Sequence, residues 1–121
     1  MKPWIGVDLD GTLAEFHPVD DLNSLSFNPT GIGEPIQLMV DKVKCLLDRG
    51  DEVKIFTARV SEEWPERCGA SKQDIREAID NWLLKTFGRL LPVTCTKDSY
   101  CIELWDDIAR SVVRNTGRIR G

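Results

Sequence analysis

Short apolar runs alternate along the chain with segments whose apolar residues recur at helical spacing. That is the pattern of a parallel α/β sheet. Trp4, Ile5 and Val7 form a first strand that stops at Asp8. Residues 14–34 hold Pro18, Pro29, Gly31 and Gly33 among polar residues and show no period. A loop this long in a compact domain is commonly a functional one. From Pro35 the period becomes helical, with Ile36, Met39, Val40, Val43, Leu46 and Leu47 on one face and Gly50 as the stop. Val53 to Phe56 reads as a second strand reaching Thr57, and residues 61–70, broken by Pro65 and Gly69, as a second loop. The next helix is predicted to begin at Ser71, with Asp74 at capping-box spacing. Its buried stripe is Ile75, Ala78, Ile79, Trp82 and Leu83, and Gly88 ends it. Leu90–Cys95 and Cys101–Trp105 read as third and fourth strands, and a last helix is predicted to carry Ile108, Val112 and Val113 inward. No repeat or linker divides the chain, so residues 1–121 are expected to form a single domain.

Asp8, Thr57, Lys97 and Asp106 each follow, or nearly follow, a predicted strand. In an open parallel sheet the carboxyl ends of the strands line one edge, and ligands bind in the crevice there. Singly, each residue has an ordinary role. The Asp-Gly of "DLDGT" can make a turn, an aspartate of "WDDIA" can cap a helix, threonine is common at strand ends, and a lysine is usually solvated. Together they imply more, because several carboxylates at one crevice repel unless a cation or raised pKa values compensate. An all-oxygen cluster suits a hard cation, and Mg²⁺ keeps several waters beside one or two carboxylates. A magnesium ion and a lysine would neutralise such a site and draw in a phosphate dianion.

Composition narrows the classes. An apolar fraction of 41% and a charged fraction of 30% are ordinary for a soluble globular protein. No apolar run approaches the roughly 18 residues that span a bilayer, and Met1-Lys2-Pro3-Trp4 begins no secretory leader. A cytoplasmic protein without a membrane partner is expected. The formal net charge of −4 speaks against general nucleic-acid affinity. Nucleic acid therefore enters only as a substrate end, and the basic "RNTGRIRG" reads as a solvated tail. Cys45, Cys68, Cys95 and Cys101 include no C-x-x-C pair, and His17 is distant, so no zinc site is expected. The thiols read as free, mostly small core fillers.

These motifs resemble, in order and over nearly the whole chain, those of the haloacid dehalogenase superfamily of aspartate-nucleophile phosphotransferases. "DLDGT" matches its first motif, D-x-D-G-T. "IFTAR" resembles its strand ending in a phosphate-binding Ser or Thr, and "ELWDDIA" its fourth, acidic motif. Lys97 takes the place of the third-motif lysine by position, with Lys85 and Lys72 as alternatives. The fold expected is α/β, a three-layer α/β/α sandwich with a mainly parallel, Rossmann-like sheet. By the resemblance Asp8 would be the nucleophile that becomes an aspartyl-phosphate. With an ordinary pKa near 3.9 it would be ionised without a base. Asp10 would protonate the leaving oxygen, then activate water, with its backbone carbonyl touching the metal. Thr57 would bond the transferring phosphoryl, Lys97 would offset its charge, and Gly11 and Arg59 would join the substrate-binding residues. Asp106, helped by Asp107, would complete the Mg²⁺ site.

Residues 14–34 and 60–70 are too short for the cap domain of larger members of that family, so an open site is expected. A flap at residues 14–34 would carry Phe16, His17, Leu22, Leu25 and Phe27, unless these merely pin the loop to the core. His17, with a pKa near 6.5, would be able to meet a phosphate. The activity implied is Mg²⁺-dependent phosphomonoester hydrolysis of a nucleotide, a nucleic-acid end or a small metabolite. The alternative is a non-catalytic binding or scaffold protein on the same fold. A receiver-type signalling domain would need a phospho-accepting Asp on a mid-chain strand, where "VKIFTAR" offers Thr57.

Overall fold

Strand β1 (Trp4–Asp8) is apolar nearly throughout because it is enclosed on both sides and both faces. It pairs in parallel with β2 (Glu52–Phe56) on one flank and β4 (Cys101–Trp105) on the other. The short β3 (Val93–Thr94) pairs in parallel beyond β2, giving the order β3-β2-β1-β4. The computed structural model describes residues 2–16, 30–62 and 70–121. The expectations resting on His17, Pro18, Leu22, Leu25, Phe27, Pro29, Pro65, Cys68 and Gly69 lie outside the described residues. The chain is thus an α/β protein with an all-parallel four-stranded sheet. No described helix is long and apolar enough to cross a membrane.

Helix α1 (Gln37–Asp48) buries Val40, Val43 and Leu46, and α2 (Lys72–Phe87) buries Ile75, Ile79, Trp82 and Leu83. These side chains join Ile5, Val7, Val53 and Ile55 of the sheet in one apolar cluster. The caps of α2 follow the sequence signals. The Ser71 side chain accepts from the Asp74 N–H at 3.0 Å, and Gly88, at φ 72°, ends the helix with its N–H on the Leu84 carbonyl. Trp4 and Phe56 stack with ring centroids 6.5 Å apart, the Lys54 ammonium stands 4.7 Å from the Trp4 ring centroid, and Leu104 lies over Gly6.

Three expectations are corrected. The third strand is Val93–Thr94 rather than Leu90–Cys95. Leu91 turns into the core while Leu90 stays exposed, and Pro92 contributes only its carbonyl, to the Ile55 N–H. The last helix does not form. Asn115 and Gly117 take positive φ values of 64° and 73° and turn the chain back on itself. Val112 then bridges Ile119, the Val113 N–H reaches the Arg118 carbonyl, and the Arg120 N–H reaches the Ser111 carbonyl. The β-branched Ile108, Val112 and Val113 were poor helix formers, and an Asn-x-Gly turn competes locally with helix. Ile108 is 83% exposed rather than buried. Finally, the described cysteines are free, but Cys45 and Cys95 are exposed and Cys101 is half-buried, so they do not fill the core. Cys45 falls beside the Val40-Val43-Leu46 stripe, not on it.

Candidate functional site

The chain reverses directly after β1. The Leu9 carbonyl accepts from the N–H groups of Thr12, Leu13 and Ala14, and the Gly11 N–H donates to the Ala14 carbonyl at 2.8 Å. Leu9, Leu13 and Ala14 are fully buried, which fixes this turn to the core. Gly11 has φ +86°, and a Cβ there would stand 2.5 Å from Oδ2 of Asp107. Only glycine satisfies both the left-handed backbone and the approach of that carboxylate. The Thr12 hydroxyl donates to Oδ2 of Asp8 at 3.3 Å.

Because Val7 is in register with Trp105, Asp106 and Asp107 leave β4 at the edge where Asp8 ends β1. One carboxylate oxygen from each of Asp8, Asp106 and Asp107 lies within 4.8 Å of the others. Asp106 also accepts the Ile108 N–H at 2.9 Å, so its capping role is real, although it caps a turn rather than a helix. The Asp8 pKa is raised from 3.8 to about 7. Burial is the largest cause, followed by the charge of Asp106, then a hydrogen bond shared with Asp107 and that residue's charge; the Thr12 hydroxyl opposes them. Burial and the two neighbouring acids therefore hold the Asp8 pKa at about 7 rather than at the ordinary value expected of it. A cation among them would restore the carboxylate. Three carboxylates with no nitrogen or sulfur donor fit a hard, oxygen-seeking ion such as Mg²⁺.

Asp10 meets a different partner. Arg59 Nε donates to its Oδ2 at 2.7 Å, and the second guanidinium arm donates to its Oδ1 at 2.8 Å. The Arg59 side chain is only 4% exposed. It is aimed by the short 3₁₀ turn Ala58–Val60, whose N-cap is Thr57: the Arg59 N–H donates to the Thr57 hydroxyl at 3.2 Å. Thr57 is buried after β2, with its N–H on the Thr94 carbonyl. A hydroxyl that accepts still has its own hydrogen to donate. Arg59, expected on the substrate side with Gly11, thus faces Asp10. Lys97 is exposed in the β3–β4 connection, and no hydrogen bond or ion pair joins it to the carboxylates among the described residues. Its neighbour Asp98 accepts from the Trp4 indole at 2.8 Å and from the Tyr100 N–H at 2.9 Å, which anchors the connection to the first residue of β1. Those bonds, the indole first, hold the Asp98 carboxyl below its usual range.

The feet of the 14–34 loop meet just behind this turn. Ala14 bridges Pro35, and the Glu15 N–H reaches the Glu34 carbonyl at 2.9 Å. A Cβ on Gly33 would stand 2.1 Å from the Glu15 carbonyl oxygen, so the two feet are in direct contact. Beside the acids lies a cavity of about 450 Å³ whose lining includes Thr12, Leu38, Met39, Leu104, Asp106 and Asp107. The Asp10–Arg59 pair, the Thr12 bond and this cavity were not read from the sequence. The one available signal was an arginine two residues past the Thr57 edge. Comparisons of the chain with family models, with curated proteins and with solved structures find no match.

Proposed function

We propose that the protein is a Mg²⁺-dependent phosphomonoester hydrolase working through an aspartyl-phosphate on Asp8. The observation that carries this reading is the meeting of Asp8, Asp106 and Asp107, from two strands about a hundred residues apart in sequence, within 4.8 Å. Asp8, Asp106, Asp107 and the Asp10 carbonyl would hold the magnesium, which would supply the charge that keeps Asp8 ionised and attracts the phosphate. An Asp8 oxygen then attacks phosphorus, and the ester oxygen leaves with a proton from Asp10. Water releases phosphate from Asp8 in the second step, giving its proton to Asp10. The first transfer requires Asp10 to enter protonated, with one oxygen freed from the Arg59 fork, and the proton is recovered from water in the second. Thr57 donates to the phosphoryl oxygens, and Lys97 is the cation assigned to offset their charge. The strand order, reversing at β1, is that of doubly wound sheets, whose ligands bind at the reversal. The same reading takes the whole as a three-layer, Rossmann-like sandwich resembling the haloacid dehalogenase superfamily. The free thiols among the described residues fit a reducing cytoplasm.

One observation favours a second reading, a metal- or phosphate-binding protein without turnover: Arg59 occupies both oxygens of Asp10. Phosphate release from a generic aryl phosphate, with Mg²⁺ and with chelator, separates the two. Turnover that needs Mg²⁺ and is lost in Asp8→Asn supports the hydrolase. Mg²⁺ binding without turnover of any phosphate ester leaves the second reading, and normal turnover by folded Asp8→Asn removes the mechanism.

A further inference from the structure

Directly after Asp107 the chain turns from strongly acidic to strongly basic. Residues 108–121 hold Arg110, Arg114, Arg118 and Arg120 and no acid. As a tail this stretch would be solvated and unordered, but it folds back on itself. The Arg120 N–H reaches the Ser111 carbonyl at 2.7 Å, and the Val113 N–H reaches the Arg118 carbonyl at 2.8 Å. Arg110 and Arg120 are thereby gathered at the open end of the hairpin, and Arg114 and Arg118 at its tip. All four are exposed, and none makes an ion pair with an acid of the described residues. Arg49, Arg59 and Arg76, in contrast, each pair with an aspartate, and of the other described arginines only the isolated Arg89 is likewise without an ion pair. A protein with more acids than bases has left four guanidinium groups unpaired on one short hairpin.

The position matters as much as the charge. Arg110 is three residues past Asp107, so its backbone lies within about 10 Å of the acid cluster. A monophosphate metabolite has nothing for a second and third guanidinium to hold. A polynucleotide has a phosphate at every nucleotide, and guanidinium groups suit those oxygens. The same molecule brings flat apolar rings, and the cavity walled by Leu38, Met39 and Leu104 opens beside Asp107.

We propose that the hairpin of residues 108–121 is a nucleic-acid-binding surface, and that the phosphate hydrolysed at Asp8 is the terminal phosphate of a polynucleotide strand. The second half of this rests on the hydrolase reading above. Arg110 and Arg120 hold the phosphates next to the scissile one, Arg114 and Arg118 hold more distant ones, and the terminal base lies against the apolar wall.

The test uses the full chain, Mg²⁺ and a single-stranded oligonucleotide of about twelve nucleotides bearing a terminal phosphate at either end. An aryl phosphate is the small substrate, and anionic phosphatidylserine vesicles are the rival polyanion. Binding is read by fluorescence anisotropy over a salt series and turnover by phosphate release. Wild type is expected to bind the oligonucleotide with a steep salt dependence. Arg114→Gln with Arg118→Gln should weaken binding about tenfold and lower the salt slope by about 1.4, from roughly 0.7 per phosphate contact on a single strand. The ratio of kcat/KM for oligonucleotide to that for aryl phosphate should fall by a similar factor. Arg114→Lys with Arg118→Lys should retain most of both. Oligonucleotide binding unaffected by the glutamine pair, or tighter arginine-dependent binding to vesicles, overturns the surface. Equal loss on both substrates overturns the substrate assignment. If aryl phosphate is hydrolysed but the oligonucleotide is not bound, this inference falls and the hydrolase stands. If the oligonucleotide is bound through the arginines and no ester is hydrolysed, the hydrolase and the terminal-phosphate assignment fall, and the binding surface stands.

Discussion

Asp8 and Asp10 are one residue apart in the same short motif, yet they sit in opposite electrostatic settings. Asp10 is held by both arms of Arg59, with the guanidinium buried behind it. Asp8 is partly buried, faces two further carboxylates and has only the Thr12 hydroxyl in its favour, which together leave its pKa at about 7. The first is a completed ion pair, and a paired buried charge costs far less than an unpaired one. The second is a repulsive cluster that weakens the fold while its carboxylates are ionised and uncompensated. Folded proteins retain such arrangements where a ligand compensates them. The contrast therefore separates an acid whose charge the chain itself compensates from one whose charge is left for a ligand to compensate.

Replacing the repulsive member gives the largest effect. Asp8→Asn should reduce phosphate release by about a thousandfold or more, as expected for loss of a nucleophile. The same variant should melt higher than wild type at pH 8 in the presence of a chelator. The sign follows from the raised value. Between about 4 and about 7 the folded chain keeps a proton on Asp8 that the unfolded chain has lost. Stability therefore falls as pH rises through that window, and the full cost applies above it. Asparagine has no such proton, so its advantage should vanish near pH 4. A variant that melts lower than wild type at pH 8 would mean that the three acids do not repel as described.

Breaking the completed pair should act in the reverse sense. Arg59→Met leaves Asp10 facing a buried apolar chain and should cost about 3 kcal/mol of stability. Adding Asp10→Asn should restore much of that loss. Urea denaturation of the single and double variants measures the coupling, and additive losses would show that the fork contributes nothing.

A smaller effect tests how the cluster is assembled. Gly11→Ala adds a Cβ at a left-handed residue and against Asp107, and should cost about 2 kcal/mol. Because the added atom displaces Asp107, Mg²⁺ affinity should fall as well, which titration calorimetry reads directly. Unchanged affinity would remove Asp107 from the ligand set. The smallest effect is that of the ion itself. Mg²⁺ at tenfold its dissociation constant should add about 1.4 kcal/mol of stability at pH 8. The gain should shrink below pH 7, where Asp8 binds a proton in competition. An equal gain at pH 5 and pH 8 would mean that the ion binds away from Asp8.

The sequence by itself determined the elements whose signals are local. The β1 strand, both helices, the Ser71 cap, the Gly88 stop and β4 follow from apolar period and cap chemistry, which act within a few residues. It also placed Asp8, Thr57 and Asp106 at one sheet edge, because parallel strands share their direction. Where two local signals conflicted, the chain read ambiguously: the period of Ile108, Val112 and Val113 suggested a helix, and the Asn115-Thr116-Gly117 turn prevented it. Only the tertiary structure decided which charges meet. Asp10 takes Arg59 from a 3₁₀ turn 49 residues away, and Asp107 reaches Asp8 through the space that Gly11 leaves open. Lys97 goes where Asp98 is tied to the Trp4 indole. Such pairings depend on side-chain direction and on register between distant strands. A charge has no period along the chain that would announce its partner, so they are set only once the core has packed.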